Sequence, residues 1–298
     1  MTEPSRHFLH CPDAGGGHRM AYWSWGEAGA DHVVLCVHGL TRQGRDFDVL
    51  AQTLCERGAR AGQRLRVVCP DVVGRGDSDW LADPMAYQLP TYAADMLTLI
   101  GQLQASRLDW LGTSMGGLIG MAVCAYLEPG QVRRLVLNDV GPSIEWQALQ
   151  RIGRYLGRSG EFESLQQAAD ALWAIASSFG PHTPAQWLAL SSHMVKPAAE
   201  GSHRLRLHYD PALAVPFRQL TPETAAQGEV LMWQLYDRLS LPTLLLRGAD
   251  SDLLSSPTAL AMTQRGPLAR LREFAGVGHA PTLVANDQVQ AVADFLLD

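Results

Sequence analysis

Two short motifs hold the residues of this sequence best suited to covalent chemistry. One is Gly112-Thr-Ser114-Met-Gly116, and the other is Gly278-His279 near the C-terminal end. A serine hydroxyl is a weak nucleophile at neutral pH. It needs an imidazole to take its proton and a carboxylate to fix that imidazole's tautomer and balance its charge. His279 is the candidate base, and Asp250 and Asp252, just past an apolar run that ends at Gly248, are candidate acids. The oxyanion formed on attack needs N–H donors, for which the backbone amides of Met115 and Leu40 are the candidates. The chemistry such a set supports is acyl transfer to serine followed by hydrolysis.

For these residues to meet, Ser114 must sit on a sharp strand-to-helix corner. Residues 108–111 are apolar enough for a short buried strand, and residues 118–127 have the small and apolar content of a buried helix. Between them the sequence fits G-x-S-x-G, where the serine takes strained dihedrals and its neighbours must lack bulky side chains. Further apolar runs at 33–38, 65–69, 132–138, 243–248 and 270–274 read as strands, most of them buried on both faces. Helical patterns lie between them at 47–55, 91–103, 257–263 and 286–297, and residues 8–25 read as an opening strand pair turning at Gly15-Gly-Gly17. Alternating strands and helices predict an α/β fold with a doubly wound, mostly parallel sheet. Ligands of such sheets bind beyond the carboxyl ends of the strands, and His38-Gly39-Leu40, Ser114, Asp250/Asp252 and His279 all follow strands.

The interval between the strands at 132–138 and 243–248 is too long for a simple crossover. It predicts a helical cap over 143–238, inserted into a core made of 1–142 and 239–298. Helical patterns at 146–156, 162–179 and 184–193 carry Trp146, Trp173, Phe179 and Trp187, which stabilise the cap by burial and line an apolar pocket in part. Leu40, Met115 and Trp146 are the candidates for substrate contact. Arg151, Arg154 and Arg158 share one helix face, either as a solvated stripe or as a site for a substrate carboxylate. His38 reads as a brace for the oxyanion loop. Asp71, Arg75, Asp77 and Asp79 read as a structural turn with no assigned catalytic part.

Composition narrows the remaining classes. The formal charge is −6 over 298 residues with 47% hydrophobic content, and the absence of a basic run argues against nucleic-acid binding. No apolar stretch has the length of a signal peptide or a membrane span, so a cytoplasmic location is expected, with no membrane partner. Cys11, Cys36, Cys55, Cys69 and Cys124 are odd in number and widely spaced, and they read as small hydrophobes. Without C-x-x-C or H-E-x-x-H, neither metal nor cofactor is expected.

Taken together, His38-Gly39, Pro70-Asp71-Val-Val-Gly74-x-Gly76-x-Ser78, Gly112-Thr-Ser-Met-Gly-Gly117, Arg247-Gly248 and Gly278-His279-Ala-Pro281 resemble the α/β-hydrolase superfamily along nearly the whole chain. Ser, Asp, His is that superfamily's order. The resemblance is strongest to capped, cofactor-free serine esterases, lactonases and carbon–carbon bond hydrolases. It favours Asp252 over Asp250 as the acid, from its spacing past Gly248, and admits Asp139 because some members place the acid after the preceding strand. It implies hydrolysis of small carboxylic esters through an acyl-enzyme. The alternatives are a lactone, the carbon–carbon bond of a dienoic ring-fission product, or, in a different class, ligand reception on the same fold. Acyl preference and oligomeric state are not legible.

Overall fold

The structure, a computed structural model, describes residues 3–13, 15–158 and 160–297. In chain order its elements begin with β1 (Ser5–Cys11), β2 (His18–Gly26), β3 (His32–Val37), α1 (Asp48–Arg60), β4 (Leu65–Pro70), α2 (Leu89–Leu103), β5 (Arg107–Thr113), α3 (Met115–Tyr126) and β6 (Val132–Asn138). Next come α4 (Trp146–Tyr155), β7 (Glu161–Phe162), α5 (Leu165–Ala176), α6 (Pro184–Ser192), β8 (Val195–Pro197), β9 (Leu205–Leu207), α7 (Ala214–Phe217) and α8 (Pro222–Asp237). The chain then returns through β10 (Thr243–Gly248), α9 (Ser256–Met262), β11 (Arg270–Phe274) and α10 (Asn286–Leu297).

Eight strands form one sheet in the order β1-β2-β4-β3-β5-β6-β10-β11. Only β1 and β2 run antiparallel to their neighbours, and all pairs from β4 to β11 are parallel. This is the doubly wound α/β sheet expected from the strand and helix alternation. Strand β3 shows why both faces are covered. Val33, Leu35 and Val37 point into the core shared with α2 and α3, while Val34 and Cys36 point into the core shared with α1 and α10. Every residue of β3 is buried, as a central parallel strand requires. No helix among the described residues is long and apolar enough to cross a membrane.

The elements between β6 and β10 differ from the all-helical expectation for that interval. Beside α4 to α8 they include a three-stranded antiparallel sheet in the order β7-β9-β8. The helix expected over 162–179 is cut at its start because Phe162 pairs with Leu205, and Ser164 then caps α5 by accepting from the Gln167 amide. A separate small core of Ala169, Leu172, Ala176, Trp187, Leu190 and Met194 holds α5 and α6 together. The Trp187 indole N–H donates to the Ala169 carbonyl at 2.8 Å, so the ring is both buried and satisfied.

Candidate active site

The corner after β5 is built from glycines and one strained serine. Ser114 has φ +52° and ψ −116°, in the region that L-residues rarely occupy. A side chain on Gly112 would place its Cβ 2.2 Å from the Gly116 carbonyl oxygen, and one on Gly116 would sit 2.0 Å from that of Val37. Only glycine lets β5, α3 and β3 approach this closely. The Ser114 amide is held by the Asn138 carbonyl at 2.9 Å, which ties the corner to the neighbouring strand β6.

From that corner Ser114 Oγ lies 2.9 Å from Nε2 of His279, whose loop follows β11. On the far side of the imidazole, Nδ1 lies 2.7 Å from Oδ2 of Asp139, the residue directly after β6. The Asp139 carboxylate is fully buried and accepts two further bonds, from Ser251 Oγ at 2.6 Å and from the Gly248 amide at 2.9 Å. An ionised carboxylate only accepts, so Nδ1 carries the proton and Nε2 is left to receive the serine's.

The geometry sets Asp139, admitted above as a further candidate, against the imidazole, and leaves the favoured candidate elsewhere. Asp252 is far from that role because both its oxygens accept from Arg151, Oδ2 from Nε at 2.7 Å and Oδ1 from Nη2 at 2.9 Å, at a half-exposed position. Asp250 is exposed. Ser251, between the two, is the residue of that loop that faces inward, and it does so to hold Asp139.

A cavity of about 100 Å³ opens beside Ser114 and His279. Leu40, Thr41, Arg42, Thr113, Arg151, Ile152, Tyr155, Leu172, Ile175, Phe179 and Met194 are among its lining residues, which include no aspartate or glutamate. Of the three expected contact residues, Leu40 lines this space, Met115 is buried behind it, and Trp146 is not among the lining residues. Arg154 and Arg158 are exposed, so Arg151 alone of that stripe reaches the cavity. A larger depression of about 910 Å³ beside β11 and α10 has no serine, cysteine or histidine in its lining.

Behind the cavity wall is a residue whose part the sequence did not reveal. Arg75 is fully buried, and no carboxylate among the described residues forms an ion pair with it. Its Nε donates to the Leu40 carbonyl at 2.8 Å, Nη1 to the Val73 carbonyl at 2.7 Å, and Nη2 to Met115 Sδ at 3.4 Å. The guanidinium also stacks over Tyr92, 4.9 Å from the ring centroid. One cation thus grips both residues whose amides were expected to receive an oxyanion. The signal was present as an arginine inside a glycine-broken apolar turn, but such turns usually face water.

His38 braces the same loop. Val72 N–H donates to its Nε2 at 2.9 Å, so Nδ1 bears the proton and donates to the Gly39 carbonyl at 2.7 Å. Complete burial pushes its pKa down to about 3, which keeps the ring neutral in this role. At the opposite edge of the sheet, Cys11, His18 and Asp95 bring three potential metal ligands within 4.8 Å of one another. Both His18 nitrogens are taken, Nδ1 by Asp13 at 2.9 Å and Nε2 by Asp95 at 3.0 Å, an arrangement that fits an imidazolium between two carboxylates.

Comparison with known proteins agrees with this architecture. The profile of the alpha/beta hydrolase family matches residues 34–295. A 3-hydroxybutyrate-oligomer hydrolase of Cupriavidus necator is 47% identical over 99% of this chain and 98% of its own. A proline iminopeptidase of Lactobacillus delbrueckii subsp. bulgaricus is 26% identical over 91% and 92% of the two chains. Among solved structures, an alpha/beta hydrolase from Novosphingobium aromaticivorans is 35% identical, covers 99% of both chains and superposes with a TM-score of 0.82.

Proposed function

The chain belongs to the alpha/beta hydrolase family, and from that premise we propose that it is a serine esterase acting on small carboxylic esters through an acyl-enzyme. The single observation that carries this reading is the continuous line of hydrogen bonds from Ser114 Oγ through His279 to Asp139 at 2.9 and 2.7 Å. In the proposed reaction, His279 Nε2 takes the Ser114 proton as Oγ attacks the ester carbonyl carbon. The oxyanion is received by the amides of Leu40 and Met115. Met115 is the first residue of α3, where a helix has no internal partner for its N–H. Collapse expels the alcohol, protonated by His279. Water then attacks the acyl-serine with His279 as base, which releases the acid and restores Ser114. Asp139 holds the imidazole in the reactive tautomer and balances its charge throughout.

Residues 143–238 serve in this reading as the cap that shapes the pocket. The small, largely apolar cavity favours a short acyl group over a long chain. Esters of short hydroxy acids fit it, in keeping with the activity named for the Cupriavidus relative. The ready-aligned Ser114–His279 pair supports turnover over a purely receptive role for the pocket.

A panel of aryl acetate, butyrate and octanoate esters, a lactone, a dienoic ketone and the linear dimer of 3-hydroxybutyrate tests the proposal. The expected result is hydrolysis of the short esters and the dimer, lost in Ser114→Ala. Turnover confined to the ketone, or unaffected by that substitution, would overturn it.

A further inference from the structure

We infer that Arg151 is the carboxylate-recognition group of the substrate site, binding the free acid terminus of a hydroxy-acid oligoester in place of Asp252. The inference rests on the ester-hydrolase reading above and says which esters that site selects.

Its first support is the charge of the cavity. On a chain with a formal charge of −6, the space beside Ser114 and His279 is lined by two arginines, Arg42 and Arg151, and by no acidic residue. The wall therefore offers guanidinium groups, and no carboxylate of its own, to whatever lies against the serine.

The two guanidiniums differ in how firmly they are held. Arg42 gives Nε and Nη2 to Asp46 at 2.6 and 2.7 Å, and Nη2 also reaches the Leu190 carbonyl at 3.4 Å. That pair is shielded, with side-chain exposures of 13% and 16%, and pulling Arg42 away would strand a largely shielded carboxylate. Arg151 gives Nε and Nη2 to Asp252, but here the exposures are 35% and 48%. An exposed pair of this kind is weak, so another carboxylate can displace Asp252 with little penalty.

The bond to Asp252 also shows what Arg151 is shaped to bind. Two parallel N–H donors, Nε and Nη2, meeting one carboxylate is the side-on geometry in which a guanidinium recognises an acid, and a lysine could not reproduce it. Asp252 stands in for the substrate's terminus when the site is empty of it. Chemistry then orients the substrate. In a linear oligoester of a 3-hydroxy acid, the free carboxylate lies on the alcohol side of every ester bond. Arg151, on the α4 wall, accordingly marks the leaving-group side of Ser114.

The test compares the dimer and trimer of 3-hydroxybutyrate as free acids with their methyl esters, which keep the scissile bond and lose the charge. The readout is the ratio of kcat/KM for acid over methyl ester, in wild-type protein, Arg151→Met and Asp252→Asn. Arg151→Met is expected to lower the ratio by about tenfold or more, through KM for the acid, as loss of a hydrogen bond to a charged group does. Asp252→Asn, which removes the competing carboxylate, is expected to raise it about threefold or more in the same sense. A ratio unmoved by both substitutions, with turnover intact, overturns this inference alone and leaves Arg151 as a tether of α4. Wild-type protein inert towards the acids, the methyl esters and aryl acetates alike overturns the ester-hydrolase reading and this inference with it.

Discussion

Asp139 Oδ2 lies 2.7 Å from Nδ1 of His279 and also accepts from Ser251 Oγ, while Oδ1 of the same buried carboxylate accepts from the Gly248 amide. We propose that this residue at the end of β6 is the acid of the triad. Asp139→Asn should lower kcat by about 10⁴-fold, since the amide no longer holds Nδ1–H and the wrong tautomer faces Ser114. Asp252→Asn, assayed on an aryl acetate that carries no carboxylate, should lose less than about tenfold. Steady-state kinetics of the two variants separate the assignments, and the reverse ranking would return the role to Asp252.

Much of this site was legible in the sequence, because its parts are local. The corner at Ser114 shows itself by glycines, and at Gly112 and Gly116 the backbone contacts explain why no other residue fits. His279 follows from its place after the last strand. Among the candidate acids Asp139 stood behind Asp252, because which carboxylate reaches the imidazole depends on how distant segments pack together, a non-local property. Counting past Gly248 points to Asp252, but the loop turns that residue to water and sends Ser251 inward. A local cue did exist in the left-handed φ of Asp139, +56°, yet dihedrals are not written in residue types. The small sheet β7-β9-β8 was missed for a related reason. Strands of two and three residues are too short to show an alternating pattern.

Arg75 provides a second prediction. Its guanidinium holds the Leu40 carbonyl and the Met115 sulfur with no ionic partner among the described residues, so it both positions the expected oxyanion donors and lends them a positive potential. Arg75→Met should lower kcat on an aryl acetate by roughly 10- to 100-fold, short of the ~10²–10³ that follows loss of a donor itself. KM should change less than about threefold, because the oxyanion exists only in the transition state. An equal loss in KM, with kcat retained, would make Arg75 a packing residue instead.

His18 predicts how stability responds to alkali. Its bonds to Asp95, to Cys11 and to Asp13 raise its pKa to about 11 from 6.5. The folded protein therefore keeps a proton that the unfolded chain releases. The stabilisation is complete below about pH 6.5 and is lost as pH climbs towards 11, with a slope of at most about 1.4 kcal/mol per pH unit. Urea unfolding at a series of pH values between these limits should show the decline, and His18→Gln should be less stable at neutral pH and flatter across the window. A wild-type profile as flat as the variant's would contradict an imidazolium at this position.

Ser114 is the proposed nucleophile. Intact-mass and peptide mass spectrometry after treatment with a fluorophosphonate test it most directly, alongside the Ser114→Ala and His279→Ala variants. One adduct per wild-type chain is expected, located on the peptide that carries Ser114, with none on Ser114→Ala and labelling slowed by about 10³-fold or more in His279→Ala. A fully labelled Ser114→Ala protein, or an adduct on any other residue of the wild type, would contradict it.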